Sequence, residues 1–522
     1  MIAVWWMACA TTTTPVGPDE PEPPPLGTFR ITPMDEATIA GAYRLEVGCA
    51  WPCRVELALD DGVMPHVVVY APLATGHVLP VVGVHPERTI EATVTLIDEA
   101  GETTVLDPLT FVSDPLDLVV PRIEILAQDG PQEPGWTLFP QSDPETWTFA
   151  TGPQGEIVWG WFAAGATQGV KGLKLTANGE LWGLAGGQVV HADILGRLRA
   201  RYGRPEDPFT TVAASAPFHH DVWPLDDGSF LALASENLDV PAYPRGLDDL
   251  GSFSPARIRS DAVLRYASDG TPTDRWSLAD LLDTRRVGFG SLSNNNWTHS
   301  NAVVPFEDQI LVSVRHQDAI VSFDATTGAL RWILGHPDGW VAPWADARLT
   351  PTGATTWPYH QHAPDVQRID ADHLRIVLFD NGNAARTSPY SNTPHPDGDF
   401  SRVVEYVVDE TARTVTQGFE FVGDGNGDRL FAAILGNADY LPQTGHVLAT
   451  YASLDIEDGV RNGDRDHGRR STRVIEIDPA TGTATWDARV YTTREEATLG
   501  WRTDRVQRLP SLYGDLATVM FR

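Results

Sequence analysis

A glycine-containing turn followed a few residues later by a tryptophan that closes a strand recurs from about Val119 onward. It is seen at Gly155…Trp159, Gly179…Trp182, Gly270…Trp276, Gly328…Trp332 and Gly482…Trp486. Two copies, DATTGALRW (Asp324–Trp332) and DPATGTATW (Asp478–Trp486), lie about three periods of ~50 residues apart. A unit of short strands and glycine turns cannot bury its apolar face alone, so such units stack, and stacking in a closed ring gives an all-β propeller. Some 400 residues at roughly 50–65 per unit correspond to about six to eight units. The long inserts Asn237–Arg257 and Leu334–Pro358 read as loops over one face, and Ser277–Asp283 as one or two helical turns.

The residues ahead of the repeat read differently. Met1–Ala10, MIAVWWMACA, resembles the end of a bacterial lipoprotein signal (residues 1–8), with Cys9 as the lipidated residue, although a basic segment is missing and the apolar stretch is short. TTTTPVGPDEPEPPPLG follows, a Thr/Pro/acid-rich tether over residues 9–27. Residues 28–116 carry short alternating runs, namely Tyr43–Val47, Arg54–Leu59, His66–Tyr70, Thr93–Ile97 and Thr104–Phe111, separated by turns such as Asp60-Asp61-Gly62. That spacing predicts a small immunoglobulin-like β-sandwich, read as an accessory or dimerisation module of a homodimer, with residues 119–522 forming the propeller. Cys49 and Cys53 stand as CAWPC. In a straight strand their Cα atoms would be roughly 13 Å apart. A turn at Trp51-Pro52 is expected to bring them into disulfide range, which needs an oxidising compartment.

Charge narrows the partners. The formal net charge is −32, and Lys171 and Lys174 are the only lysines among 38 basic residues. Phosphate contacts would be repulsive on balance, so nucleic acid is excluded. No apolar run reaches the ~18 residues of a membrane helix, leaving the lipid anchor as the one expected membrane contact.

Four clusters fall between the repeat turns: Phe218-His219-His220-Asp221, Thr298-His299-Ser300-Asn301, Ser313-Val314-Arg315-His316, and the stretch Tyr359–Arg386 continuing to Phe400-Ser401-Arg402. In a propeller, equivalent inner-strand ends face one channel, so residues distant in sequence meet. His360 and His362, spaced i, i+2, share a face if extended, whereas the neighbours His219/His220 and Arg315/His316 would face opposite ways, making His316 structural. A neutral imidazole attacks an anionic ester without charge repulsion, and a guanidinium offers two oxygens a planar fork. The arginine and asparagine neighbours suit an anion better than a metal ion. Asp424–Asp428 (DGNGD) has alternating oxygen ligands but no closing glutamate, so a glycine-rich hairpin turn is favoured over a calcium loop. No cofactor is implied.

FHHDVWPLDDG, THSNAVV…ILVSVRHQDAI, QHAPDV…VLFDNGNAAR, FSRVVEY and RVQRLPSLY, in this order, resemble the bacterial arylsulfate sulfotransferase family. The resemblance implies a six-bladed propeller that moves a sulfuryl group from a phenolic sulfate ester to another phenol through a sulfated histidine, with no nucleotide donor. Small-molecule aryl sulfates and phenols would be its partners, in a periplasmic, outer-membrane or extracellular location. Carried over by motif, His362 is the nucleophile, His299, Asn301 and Arg315 bind sulfuryl oxygens, and His220 is the acid and base. His360, Arg386 and Arg402 are expected to line the substrate site, though both arginines would also fit structural pairs with Asp380 or Glu405. Trp297 and Tyr359 are expected to stack on the aryl ring. His360 as nucleophile, an arylsulfatase-like hydrolase and a non-catalytic binding propeller stay open as alternatives.

Overall fold

The computed structural model describes residues 26–521 apart from 35–38, 117–119, 144–146, 153, 164–168, 177, 204–209, 212–217, 392, 424–428, 458–459, 462–468, 494 and 496–499. The lipoprotein-type signal, Cys9, nearly all of the tether and the Asp424–Asp428 turn lie outside the described residues. The architecture is all-β, with two single-turn α-helices at Leu278–Leu281 and Trp344–Ala347 among those residues. None of these helices is long and apolar enough to cross a membrane.

Six sheets of four to six strands follow one another along the chain and form a propeller-like ring. Their innermost strands are Trp136–Asp143 with Arg502–Thr503 and Gln507–Leu509, then Lys171–Leu175, Phe218–Pro224, Ser300–Phe306, His362–Arg368 and Asn437–Tyr440. Each packs against the innermost strand of the next sheet, and the last sheet returns to the first through Val447–Leu454 against Arg502–Thr503. The period-two pattern of these strands explains the packing, because their buried faces meet the next sheet. The repeat tryptophans fill the gaps: Trp159, Trp182, Trp332 and Trp486 are buried, and Trp276 packs on Phe323 with ring centroids 5.8 Å apart. The turns before them share a cause. Asp324 and Asp478 accept backbone N–H bonds within their own turns, and Gly328 and Gly482 take left-handed φ values of 70° and 69°.

Closure uses both ends of the repeat region. Arg122–Gln128 adds the outer strand of the sixth sheet by pairing with Thr483–Tyr491, and Gln507–Leu509 pairs with Trp136–Asp143 in the first. The insert Asn237–Arg257 is not a loop. It continues the hairpin Phe230–Gly246/Asp249–Tyr266, whose inward side chains Val240 and Tyr243 join the buried core. Ser277 caps Leu278–Leu281 by accepting from Ala279 N, as expected for a short helix there.

The N-terminal module is built on seven strands joined by hydrogen bonds in one antiparallel network, one of them supplied by Ala517–Phe521. Its long strand Ala42–Asp60 merges two of the expected runs. Tyr43–Val47 pairs with Phe29–Pro33, while Cys53–Asp60 pairs with Thr89–Asp98. Between them the register slips, with Gly48 opposite Gly76 and Cys53 opposite Ala74, and this bulge draws Cys49 and Cys53 to a Cα separation of 6.4 Å, where they form a disulfide. The boundary near residues 116–119 is crossed twice: Ile39–Ala40 pairs with Ile157–Phe162 of the ring, and Ala517–Phe521 returns to pair with His66–Tyr70 of the module. One core spans both units, from Leu45, Val47 and Tyr70 to Trp136, Trp159 and Tyr513.

Tyr513 pins the returning tail, since its hydroxyl accepts from Val82 N and donates to Val82 O, both at 2.9 Å. Tyr513→Phe leaves those buried groups unpaired, so a loss of about 1–3 kcal/mol is expected, read as a lower apparent Tm. An unchanged Tm would show that packing alone docks the tail.

Candidate active site

The inner strands begin irregularly, and this gathers the site. Register slips interrupt the pairing between Phe218 and Val222, Ser300 and Ala302, and His362 and Asp365. Left-handed backbone occurs there at His220 (φ 61°), His299 (46°), His360 (58°) and Ala363 (42°). Non-glycine residues keep such conformations only where their surroundings over-determine them, and they concentrate at functional sites. A bulge also breaks the alternation of faces. His219 and His220 therefore do not face opposite ways; their Nδ1 atoms are 2.8 Å apart. Arg315 and His316 fall in a 3₁₀ turn, Arg315–Gln317, so strand logic does not separate them either.

A chain of imidazoles results. His220 lies edge-on to His299 at 4.9 Å, His299 stacks on His316 at 4.6 Å, and His316 meets His360 at 6.1 Å between ring centroids. His316 has its tautomer fixed, because Nδ1 lies 2.7 Å from the carbonyl of Asn296 and Nε2 accepts from Arg315 Nη1 at 3.0 Å.

Two asparagines set opposite tautomers on His362 and His299. The Asn381 Nδ2 donates to the carbonyls of Ala432 and Leu435, which turns its Oδ1 toward His362 Nδ1 at 2.6 Å. His362 therefore carries its proton on Nδ1 and a lone pair on Nε2, which accepts a long hydrogen bond from Leu435 N at 3.3 Å. Asn296 is held the other way, with Oδ1 accepting from Arg259 Nε, so its Nδ2 donates to His299 Nδ1 at 2.6 Å. His299 then presents an Nε2–H. One ring is set as a nucleophile and the other as a donor. No sequence pattern marks Asn381 for this role.

Burial, with the Arg315 guanidinium close by, pushes His360 and His362 well below the ordinary imidazole value. Burial does the same to His220, aided by its histidine neighbours, and takes His299 down to about 3 and His316 to about 4. Arg315 is lowered by burial to about 10 and so stays cationic at neutral pH. These five rings are thus neutral beside the buried Arg315 cation. Among the described residues, Arg315 Nε, His360 Nδ1 and Asn301 Oδ1 are buried without a hydrogen-bond partner, an unusual concentration for one locality.

The remaining expected residues divide. Asn301 is fully buried and its Nδ2 donates to Gln361 O at 2.7 Å, fastening the peptide between His360 and His362. Arg386 and Arg402 converge elsewhere: both bond Asp380 Oδ2, Arg386 also reaches Phe400 O, and Arg402 reaches Glu420 and the carbonyls of Thr356 and Trp357. Trp297 is fully buried, with its Nε1–H on Arg286 O, and Tyr359 is buried as well, so the expected stacking of Trp297 on a ligand is corrected: that ring belongs to the core. The sequence also gave no sign of Asp261, 3.0 Å from His219 Nε2, or of Asp318, which accepts from His360 N at 2.7 Å. Both come from strands and turns far along the chain, and their approach depends on the ring closing.

The hub of the propeller-like ring thus gathers tautomer-fixed neutral histidines beside a buried arginine. Residues 94–502 match the family described as Arylsulfotransferase (ASST), and the chain belongs to that family. A stretch of 252 residues is 27% identical to the arylsulfate sulfotransferase AssT of Escherichia coli O6:H1, covering 38% of this chain and 40% of that protein. The chain thus spans well under half the length of that curated relative. Among solved structures, a protein of unknown function from Bacteroides caccae is similar over 72% of this chain and 98% of its own, at 12% identity and a TM-score of 0.39. A putative 6-phosphogluconolactonase from Bacteroides fragilis is similar over 87% and 98%, at 10% identity and a TM-score of 0.29. Neither likeness carries the argument.

Two outcomes follow from the charges. A histidine with a depressed pKa stays neutral where an ordinary one is charged, so at pH 5.5 the rings of His360 and His362 are expected to remain neutral. The exposed His373, raised by its hydrogen bond to Asp370, should be protonated there. ¹⁵N-histidine spectra across pH 5–8 check this, and common titration near pH 6.5 would contradict it. Separately, Asp380→Asn leaves the buried Arg386 guanidinium without its carboxylate and Arg402 with Glu420 alone, and is expected to cost about 3–5 kcal/mol in chemical unfolding.

Proposed function

We propose that this chain transfers a sulfuryl group from an aryl sulfate ester to a phenol through a sulfated His362, without a nucleotide donor. The observation that carries this reading is the Asn381–His362 pair beside Arg315, which puts the lone pair of a fixed, neutral ring on Nε2, where it meets a long 3.3 Å bond from Leu435 N. Aryl sulfates are monoanions whose three peripheral oxygens repel charged nucleophiles, and a neutral imidazole avoids that repulsion. As His362 Nε2 attacks sulfur, the S–O bond to the aryl group breaks. Arg315 and the His299 Nε2–H stabilise the sulfuryl oxygens, for which the unpartnered Arg315 Nε–H is a ready donor. His220 protonates the departing phenolate and later takes the proton of the acceptor phenol. The Nδ1–H of sulfated His362 stays on Asn381, which steadies the charge that develops on the ring.

Asn301 acts here by holding Gln361 and hence the spacing of His360 and His362, while Arg386 and Arg402 hold Asp380 and take no part in binding. Each of the six sheets is read as one blade. The Cys49–Cys53 disulfide supports an exported protein.

Brief exposure to 4-nitrophenyl sulfate is expected to add the mass of one SO₃ to a peptide containing His362, and His362→Ala should release no 4-nitrophenol. A gain mapped to another residue, or undiminished turnover in that variant, overturns the reading. Adding a phenol should yield its sulfate ester faster than free sulfate appears. Arg315→Lys keeps the charge but loses the fork, so kcat/KM is expected to fall about 10²–10³-fold.

A further inference from the structure

The proposed chemistry asks His220 to give up a proton in one half-reaction and accept one in the other, inside a site where burial disfavours its charged form. Its neighbour resolves this. His219 Nδ1 and His220 Nδ1 stand 2.8 Å apart, and two ring nitrogens at that distance share one proton, which either can hold. The far nitrogen of His219, Nε2, is 3.0 Å from Asp261 Oδ1. Asp261 is itself 1% exposed and anchored through Oδ2 by the Thr298 hydroxyl at 2.8 Å and Ser300 N at 2.6 Å. The His219 side chain is 20% exposed, so a cation there is partly solvated and directly paired, unlike one on His220.

We propose that His219, held by Asp261, stores the proton that His220 delivers, so that His220 switches tautomer without becoming a cation. This rests on the sulfuryl-transfer reading above. At the start His219 carries protons on both nitrogens and His220 carries one on Nε2. When His362 Nε2 bonds to sulfur and the S–O bond breaks, the His220 Nε2 proton passes to the phenolate oxygen. The His219 Nδ1 proton moves to His220 Nδ1, leaving His219 neutral with its Nε2–H beside Asp261. In the second half-reaction the acceptor phenol gives its proton to His220 Nε2, and the His220 Nδ1 proton returns to His219. The acceptor oxygen then bonds to sulfur as the S–N bond breaks. Every proton released is recovered, and none is exchanged with solvent.

The adjacency of the two rings is built in by the bulge after Phe218 and the left-handed backbone at His220. His299 and His362 also face His220, and Lys171 adds a third charge-bearing neighbour. None of these has the direct nitrogen-to-nitrogen contact that His219 makes.

His219 is a positioning residue, and leaving-group basicity separates a relay from a packing role. His219→Gln can hydrogen-bond but cannot pass a proton. Turnover of 4-nitrophenyl sulfate, whose phenolate leaves without much help, should suffer least. Turnover of 4-methylphenyl sulfate, whose leaving group is about as basic as a tyrosinate, should fall about 100-fold further. His219→Asn is expected to steepen the dependence in the same way and guards against one poorly folded variant. Equal losses across the substrate series in both variants, or no loss with either substrate, overturns the relay alone. Absence of SO₃ from His362 in the unaltered protein overturns the function reading and the relay with it.

Discussion

One buried carboxylate ties the centre of the ring together. Asp221 is fully buried and accepts from Lys174 Nζ at 2.6 Å and Val303 N at 3.0 Å, and it pairs with Arg505 Nη1 at 3.1 Å, so three other sheets are bonded to its own. A buried charge is tolerable only when satisfied on every side, and here that requirement forces the sheets into register. The approach is close: a Cβ at Gly172 would sit 2.7 Å from His220 O and 2.9 Å from Asp221 Cα. Arg505 extends the tie by donating to Asn301 O, and the Asn301 side chain clamps the peptide between His360 and His362. A continuous set of bonds thus runs from Asp221, next to His220, to His362.

Around that hub the electrostatics work by exclusion. Desolvation strips His220, His299, His316, His360 and His362 of charge, with the Arg315 cation beside them. The formal charge of −32 would seem to oppose an anionic ligand, yet at physiological ionic strength charges are screened beyond about 8 Å. What a bound anion meets is the local arrangement, one guanidinium and oriented N–H groups in a poorly solvated space, where each such interaction is stronger than in water.

The ring was legible from the glycine–tryptophan period, and the chemistry-bearing types from the His, Asn and Arg clusters. What failed was the assumption that strand residues alternate. His219, His220 and His316 all enter the site because bulges and a 3₁₀ turn replace regular strand where the inner strands begin. No spacing rule marks those places, since the left-handed residues there are histidine and alanine and not glycine. Arg386 and Arg402 look like anion ligands in the sequence, but only the fold shows that Asp380 already occupies them. Asn381 and Asn296 were invisible as tautomer-setting groups because their roles depend on carbonyl and guanidinium partners brought in from elsewhere in the ring.

Ala517–Phe521 forms the edge of a sheet whose other strands are all encoded before residue 113. That sheet stays one strand short until residues 517–521 have been made, and the same segment of chain carries Gln507–Leu509, which completes the first sheet of the ring. Neither unit can mature before this segment is available. Until then the growing polypeptide carries two open β-edges, exposed to mispairing, and both are sealed together in one cooperative event.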